Sequence, residues 1–280
     1  RSIDASAEAY KRDSSDSETR FLYGASRCNR ARFHVEEQQW FQAYLDAREG
    51  MDVLRDLIED EPYYADAYFA LGVADCFLSD APLILKPLAR LLGFSGSAER
   101  GIAMLERCIR DGDWTSVEAE YYLAYYYYKL ADDGEATIQR FASLSERFPR
   151  NPIFGYFLGR GYQINHDPLS ALEAYQRIQD ICYEVGAEDM GNWTSYRIGN
   201  ILHGEQRFEQ AMEVYQGLAR RLDESTREQE YFYRLPLKMA RSLIGMGEIE
   251  RARTYLEVIR PEWDRETYHM SLEVLESIGG

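Results

Sequence analysis

Cysteine, proline and positive charge are all scarce in this sequence. Its 280 residues include 4 cysteines and 8 prolines, and 32 lysines and arginines stand against 48 aspartates and glutamates, for a formal net charge of −16. An acidic surface repels the phosphates of nucleic acids and of anionic bilayers, so neither is expected to bind through a basic stripe. We interpret the acidity as a source of solubility for a large surface.

No sequence feature assigns the chain to one compartment. The cysteines are scattered without a C-x-x-C pair and stand at helical, apolar positions, so we expect buried thiols and no disulfides; they are Cys28, Cys76, Cys108 and Cys182. The longest apolar stretch, 83–94, contains charges and a proline, so no transmembrane segment is predicted. Because the chain begins at Arg1, we expect a trimmed product. It would be soluble, and either cytoplasmic or exported with its signal peptide removed.

Motifs of catalysis and metal binding are missing as well. The four histidines, His34, His166, His203 and His269, lie far apart in the chain. There is no H-E-x-x-H, P-loop, nucleophile elbow or EF-hand string. We therefore expect no enzyme activity, no cofactor and no metal. An unusual enzyme or an enzyme accessory stays the weakest alternative, since it needs a convergent polar pocket.

What the sequence does contain is an internal repeat of about 40 positions. The repeated residues are Leu158-Gly159-x-x-Tyr162 with Ala171 and Tyr175, Ile198-Gly199-x-x-Leu202 with Ala211 and Tyr215, and Met239-Ala240-x-x-Leu243 with Ala252 and Leu256. The spacing places apolar residues on one stripe of each of two helices, and the small residues allow a neighbouring helix to approach closely. A single hairpin cannot bury both stripes, so the repeat predicts stacked helical hairpins.

These units resemble tetratricopeptide (TPR) repeats. Gly155, Ser195 and Pro236 stand where that family usually has a large aromatic residue, and the units are longer than the standard repeat. The resemblance implies an all-α, right-handed superhelical solenoid whose first helices line a concave groove that binds other proteins. It does not extend to the carboxylate-clamp version of the fold, because only Asn200 matches the clamp's Asn position. Capture of a C-terminal peptide in that manner is therefore not expected.

We predict one continuous domain, 1–280, of about six hairpins and a C-terminal capping helix. The predicted segments are an atypical long hairpin (1–62), a hairpin with an insert at 79–97 (63–113), four TPR-like hairpins (114–150, 151–190, 191–224 and 225–262) and the capping helix (263–280). Ser15 and Glu18 have the spacing of a capping box at the start of the first long helix. Pro236 is expected to kink its helix or to mark where that helix begins.

The insert carries a second resemblance. Together with Leu71-Gly72 before it and Arg100-Gly101 after it, the segment is similar to the inclusion-body-clearance and tetratricopeptide-repeat-39 proteins and their bacterial relatives. This similarity implies an adaptor or homeostasis role without catalysis. The insert could dock into a larger or self-associated assembly, or lie on a membrane surface, through Leu83, Leu85, Leu91, Leu92 and Phe94. The alternative is that these side chains fold back onto adjacent helices.

The first helices are expected to present a groove rich in residues that dominate binding hot spots. The predicted groove residues are Tyr121, Tyr125, Tyr128, Tyr156, Arg160, Gln163, Trp193, Tyr196, Asn200, His203, Arg234 and Arg241. For the tyrosines of 121–128, core packing is the competing interpretation, because the run encircles its helix. The leading functional prediction is a non-catalytic scaffold that binds a peptide or partner protein in this groove. A structural subunit that docks through the insert is the alternative, and the oligomeric state stays open.

Overall fold

The computed structural model describes residues 2–79, 96–223 and 226–279, and within these ranges the chain is all-α without a strand. The all-helical class predicted from the repeats is therefore confirmed. The predicted docking residues Leu83, Leu85, Leu91, Leu92 and Phe94 lie outside the described residues. No helix in the described ranges is long and apolar enough to cross a membrane.

The chain divides into two compact units, 1–140 and 141–280. The N-terminal unit contains α1 (Ser2–Arg12), α2 (Ser17–Glu36), α3 (Trp40–Asp60), α4 (Tyr68–Ser79), α5 (Ala98–Asp111) and α6 (Ser116–Tyr126). A 3-10 turn, Ala65–Ala67, precedes α4, and a π-helical turn, Tyr127–Ala131, follows α6. The boundary falls within α7 (Gly134–Arg147). The C-terminal unit continues with α8 (Pro152–Ile164), α9 (Pro168–Glu184), α10 (Glu188–Gly204), α11 (Phe208–Ala219), α12 (Glu230–Gly245), α13 (Ile249–Glu257) and α14 (Arg265–Gly279). The predicted arrangement as one continuous domain stays a prediction.

In the N-terminal unit, α2 and α3 form a long antiparallel hairpin that closes at two glycines. A Cβ atom added to Gly50 would lie 2.7 Å from the carbonyl oxygen of Gly24, so only glycine allows this close approach. The core beside it contains Leu54 and Leu57, which are fully buried. Gly50 is therefore a packing position within α3.

The start of α2 differs from the prediction by one residue. The helix is capped by Asp16, whose carboxylate accepts a hydrogen bond from the backbone N–H of Thr19 at 2.8 Å. The backbone N–H and the hydroxyl of Ser15 instead donate to Asp13, at 2.9 and 2.7 Å. The capping box at Ser15 and Glu18 was therefore wrong, because a preceding aspartate engages the serine.

In the C-terminal unit, α8 and α9, α10 and α11, and α12 and α13 form consecutive hairpins, and α14 packs on the last of them. The small residues of the repeat have the predicted role. The ring of Tyr175 lies directly against Gly159, and the ring of Tyr215 lies directly against Gly199. Both tyrosines are fully buried, so the first two of these hairpins are each held together by an aromatic ring packed on a glycine of the first helix.

Candidate protein-binding face

The first helices of the three hairpins in the C-terminal unit form one side of that unit. We call this side, formed by α8, α10 and α12, the first-helix face. Helices α10 and α12 pack against each other. Helix α10 also contacts α8, since Nε of Arg197 donates to the phenolic oxygen of Tyr156 at 3.0 Å. The face is therefore continuous across the three hairpins.

One end of the face is aromatic. The guanidinium carbon of Arg197 lies 5.8 Å from the ring centroid of Tyr156 and 5.5 Å from that of Trp193, within the range of a cation–π contact. Trp193 also packs edge-to-face on Tyr231 at 5.1 Å. Tyr156, Trp193 and Arg197 are half-buried, whereas Tyr231 is fully buried. These contacts fix the orientation of two large rings that remain accessible to a ligand.

The middle of the face carries two side-chain amides, each of which accepts a hydrogen bond from a tyrosine of a second helix. The hydroxyl of Tyr175 donates to Oε1 of Gln163 at 2.8 Å, and the hydroxyl of Tyr215 donates to Oδ1 of Asn200 at 2.8 Å. Arg160 also donates to Gln163, at 3.2 Å. Both amide oxygens are therefore engaged by hydroxyl groups of the second helices, which restricts the orientation of the amides. The sequence predicted both amides but not the tyrosines that position them.

The other end of the face is cationic. Arg234, Lys238 and Arg241 follow one stripe of α12, and His203 of α10 lies beside them, with Nδ1 3.0 Å from the hydroxyl of Ser242. Burial lowers the pKa of His203, and the charges of Lys238 and Arg241 lower it further. Burial, followed by the charges of Arg241 and Arg234, likewise lowers the pKa of Lys238. Positive charge is thus concentrated at this end of an acidic chain.

Among the predicted groove residues of this unit, Tyr196 differs from the rest. It is 5% exposed and belongs to the core, and burial raises its pKa, whereas its hydrogen bond with Asn200 lowers it. The other predicted residues are half-buried on the first-helix face: Tyr156, Arg160, Gln163, Trp193, Asn200, His203, Arg234 and Arg241. Whether a partner contacts them stays a prediction.

The remaining predicted groove residues belong to the N-terminal unit. Tyr121, Tyr125 and Tyr128 are half-buried on one stripe, with ring centroids 6.1 Å apart for the first pair and 5.9 Å for the second. Phe77 of α4 stacks on Tyr125 at 6.2 Å. Tyr126 is buried in the core of the unit. The run at 121–128 therefore has one side packed in the core and another side that is partly accessible, so both the core and the groove interpretations hold for part of it.

Two polar residues of the first-helix face were missed in the sequence. Arg197 and Lys238 occupy the same repeat position, immediately before Ile198 and Met239. The predicted groove residues do not include this position. In the structure it faces the preceding first helix, so that Arg197 meets Tyr156 and Lys238 lies near His203. A cation recurring at one repeat position is the signal that could have revealed both.

An apolar surface in the N-terminal unit was also missed. The turn between α2 and α3 exposes five large apolar side chains: Phe33, Val35, Trp40, Phe41 and Leu45. Trp40 and Val35 line the rim of a groove of about 410 Å³ between α2, α3, α4 and α6, whose floor includes Met51 and Phe69. Exposed apolar patches of this kind mark interaction surfaces in many proteins.

The chemistry of the described residues contains few elements of an active site. No group of three or more His, Cys, Asp or Glu side chains in the described ranges is arranged to hold a metal ion. The four cysteines are free thiols, and Cys76, Cys108 and Cys182 are buried. Burial raises the pKa of Cys76 to about 12 and that of Cys108 to about 11, so both are protonated at neutral pH.

Two solved structures share this fold. PilF of Pseudomonas aeruginosa aligns with a TM-score of 0.56 and 14% sequence identity over 89% of this chain and 97% of PilF. Yeast Tom70 aligns with a TM-score of 0.50 and 12% identity over 99% of this chain, which spans 58% of Tom70. No protein-family model matches the sequence, and neither does any curated protein.

PilF and Tom70 are both TPR-repeat proteins. The fold is therefore that of a TPR-like helical-repeat protein, as the repeat spacing predicted. Stacked hairpins of this kind present extended surfaces.

Proposed function

We propose that the protein is a non-catalytic scaffold that binds a peptide or a partner protein along the first-helix face of its C-terminal unit. The observation that carries this proposal is the fixed orientation of hot-spot residues on that face. Tyr156 and Trp193 are held by Arg197, and the amides of Gln163 and Asn200 are held by buried tyrosines. Groups positioned before binding lose little entropy when a ligand arrives.

A quantitative pull-down with the full chain, read by mass spectrometry, tests the proposal. The face variant combines Tyr156→Ala, Arg160→Glu and Asn200→Ala. A matched control makes the same kinds of change on the exposed side of α9, with Leu169→Ala, Arg177→Glu and Gln176→Ala. Both variants must retain the helical circular dichroism of the wild type.

We expect partners that the wild type and the α9 control retain and that the face variant loses. Truncation of hot-spot residues typically costs about 2 kcal/mol or more of binding free energy, enough to remove a partner during washing. Partners retained equally by all three proteins would place binding elsewhere and contradict the proposal.

The narrower resemblance to the inclusion-body-clearance and tetratricopeptide-repeat-39 proteins supports an adaptor role within the same proposal. It is carried by Leu71-Gly72 of α4 and Arg100-Gly101 of α5. In the structure, a Cβ atom on Gly101 would lie 2.7 Å from the carbonyl oxygen of Gly72. The two glycines thus permit a close crossing of α4 and α5, which gives this part of the motif a packing role.

A structural-subunit function is the second candidate, and the exposed apolar patch on α2 and α3 favours it. Trp40 is 64% and Phe41 is 68% exposed, which is unusual for such large apolar side chains. Analytical ultracentrifugation of the wild type and of a Trp40→Glu, Phe41→Glu variant tests this function. An assembly that dissociates in the variant supports it, and a monomer at all concentrations for the wild type contradicts self-assembly.

A further inference from the structure

Two aromatic side chains are exposed on neighbouring loops of the N-terminal unit. Tyr63, in the loop between α3 and α4, is 92% exposed, and Trp114, in the loop between α5 and α6, is 64% exposed. The two loops are joined by hydrogen bonds, since Asp66 accepts from the backbone N–H of Trp114 at 3.0 Å and Arg107 donates to the carbonyl oxygen of Pro62. Both rings therefore lie at one end of the unit, on backbone that is held in place.

The start of α2 lies at the same end of the unit. The hydroxyl of Ser17 donates a hydrogen bond to the carboxylate of Glu61. Arg20, one turn further along α2, pairs with Asp60 at 2.8 Å. These contacts place the loop before α2 next to the loop that carries Tyr63.

The half-buried ring of Tyr64 shows that carboxylates from these segments gather in one place. Burial raises the pKa of Tyr64 to about 12, and the charges of Asp66, Glu18, Asp16 and Glu61 raise it in the same direction. Two of these carboxylates stand at the start of α2, and the other two stand on either side of Tyr64 in the sequence. The negative charges of the two segments therefore act on the same group.

The loops at this end concentrate the negative charge of the chain. The stretches 13–18, 59–66 and 111–118 contain three, four and three carboxylates and no Lys, Arg or His. They supply ten negative charges in a chain whose formal net charge is −16. All of these carboxylates except that of Asp66 belong to exposed residues. We call the three stretches together the acidic loop edge.

Arginines that border the acidic loop edge neutralise only a small part of this charge. Arg20 pairs with Asp60, and Arg110 pairs with Asp111 at 2.9 Å. These two pairs leave most of the ten carboxylates without a neutralising cation, so the edge keeps a net negative charge. Like charges gathered in this way repel each other, and a cationic ligand would relieve the repulsion.

The exposed rings and the carboxylates favour the same kind of ligand. The faces of Trp and Tyr rings attract ammonium and guanidinium groups. An apolar ligand that covered Tyr63 and Trp114 would also remove water from the neighbouring carboxylates, which is unfavourable without a compensating charge. A polyanion such as a nucleic acid would be repelled. A segment rich in Lys and Arg satisfies both the carboxylates and the rings.

We propose that the acidic loop edge binds a Lys- and Arg-rich segment of a partner protein, whose cationic side chains pair with the carboxylates and pack on the rings of Tyr63 and Trp114. This interaction goes beyond the proposed function, because it uses a different surface, in the N-terminal unit. The acidic loop edge and the first-helix face of the C-terminal unit share no residue, so either proposal can fail without the other.

Fluorescence anisotropy with the full chain and synthetic peptides tests this chemistry. Three labelled peptides of equal length, acetylated and amidated, combine Gly and Ser with Lys and Arg, with Gln, or with Glu. We expect the cationic peptide to bind, the other two to bind weakly or not at all, and the affinity for the cationic peptide to decrease as NaCl increases.

Two variants of equal charge separate the acidic loop edge from the net charge of the chain. The edge variant neutralises three exposed carboxylates near the two rings: Glu59→Gln, Glu61→Gln and Asp113→Asn. The control neutralises three exposed carboxylates in the turns at the far ends of α2 and α6: Glu36→Gln, Glu37→Gln and Asp132→Asn. The edge variant should weaken binding of the cationic peptide by about tenfold, and the control by about twofold or less.

A second pair of variants tests the rings without a change of charge. Tyr63→Ala with Trp114→Ala should weaken binding of the cationic peptide by about threefold or more. The matched control, Trp40→Ala with Phe41→Ala, removes two exposed rings elsewhere in the same unit and should leave the affinity unchanged. All variants must retain the circular dichroism of the wild type. If the Trp114→Ala substitution prevents folding, Tyr63→Ala alone tests the contribution of a ring.

Three results would overturn the proposal. A cationic peptide that binds no better than the uncharged one would exclude the ligand. Equal weakening by the edge variant and its charge control would show a non-specific effect of net charge. A wild-type dimer that dissociates on Tyr63→Ala with Trp114→Ala, measured by analytical ultracentrifugation, would show that a second copy of the chain covers the rings. None of these results concerns the first-helix face, which has its own test.

Discussion

At the scale of single residues, the carboxylate of Asp66 holds the loop between α5 and α6. It accepts hydrogen bonds from the backbone N–H groups of Asp113, Trp114 and Thr115 at 3.2, 3.0 and 2.8 Å, and from the Thr115 hydroxyl at 2.8 Å. Asp66 itself is 6% exposed. It therefore satisfies donors ahead of α6 that no helical carbonyl could reach.

Substitution of Asp66 by alanine should destabilise the N-terminal unit. Loss of a buried charged acceptor leaves its donors unsatisfied, so we expect Asp66→Ala to lower the free energy of unfolding by about 3 kcal/mol. Asp66→Asn retains one acceptor oxygen and should cost about half as much. Urea denaturation followed by circular dichroism measures both. A loss below about 0.5 kcal/mol for Asp66→Ala would show that the loop is held by other contacts.

A second prediction concerns the glycines beneath the aromatic rings. A methyl group at Gly199 would overlap the fully buried ring of Tyr215, so Gly199→Ala should lower the free energy of unfolding by about 1–3 kcal/mol. Gly217 of α11 is a matched control, because the nearest atom to an added methyl group is Nη2 of Arg220 at 4.0 Å. Gly217→Ala should instead stabilise by about 0.5–1 kcal/mol. The same sign for both substitutions would contradict this account.

The packing glycines and the buried polar contacts differ in how well the sequence predicts their roles. The role of Gly159 and Gly199 could be predicted, because they recur at one position of an apolar repeat. The bonds from Tyr175 and Tyr215 to the amides could not, since periodicity locates a side chain on a helix without showing how far it reaches. The role of Asp66 could not be predicted from the sequence, because the residues that donate to it lie almost fifty positions later in the chain.

At the scale of elements, the turns within the hairpins share one backbone conformation. A residue with positive φ follows the first helix each time: Gln38 (58°), Asp132 (49°), His166 (55°), Gln206 (59°) and Gly247 (79°). In four of these turns the next N–H bonds to a carbonyl five residues earlier, as in Asp167 to Tyr162 and Arg207 to Leu202, both at 2.9 Å. This is the Schellman arrangement, which most often uses glycine. After Asp132, which ends the π-helical turn, the N–H of Asp133 instead bonds to the carbonyl of Tyr127, six residues earlier.

The turns that have a non-glycine residue at positive φ should become more stable when that residue is replaced by glycine. A left-handed conformation costs a residue with a Cβ about 1–2 kcal/mol, and part of this is offset by the greater freedom of glycine in the unfolded chain. We expect His166→Gly and Gln206→Gly each to raise the free energy of unfolding by about 0.5–1 kcal/mol. The reverse change, Gly247→Ala, should lower it by about 1 kcal/mol. Guanidinium titrations of the three variants measure this, and a loss of stability for both glycine substitutions would disprove it.

The sequence predicted the helices better than the turns. Apolar periodicity marks the helices that carry the repeated residues, such as α8, α10 and α12. The helix that contains Pro236 begins at Glu230, so Pro236 lies in its interior and does not mark its start. The turns were missed because only Gly247 supplies the expected glycine signal, and the π-helical turn after α6 has no sequence signature.

At the scale of the whole molecule, the net charge of −16 opposes folding through self-repulsion. Added salt screens this repulsion, so the melting temperature should rise by about 2–5 °C between about 20 mM and 500 mM NaCl. Differential scanning calorimetry measures the shift, with sucrose at equal osmolality as a non-ionic control. A melting temperature that falls with NaCl would show that attractive ion pairs outweigh the net charge.

The class of fold could be read from the sequence, whereas the contacts of Arg197 and Lys238 could not. Hairpin stacking follows from the repeat itself, which is visible in a single chain. Those contacts depend on residues of other helices, since Arg197 donates to Tyr156 and Lys238 lies near His203.

The amides anchored by Tyr175 and Tyr215 have a consequence for how occupancy could be detected. A ligand that accepts hydrogen bonds from Gln163 and Asn200 would tighten a chain of bonds that ends in α9 and α11. Those second helices would then resist local opening, although the ligand never touches them. Slower amide hydrogen exchange in α9 and α11 would therefore report binding at the first-helix face, and no label would have to be attached to the protein.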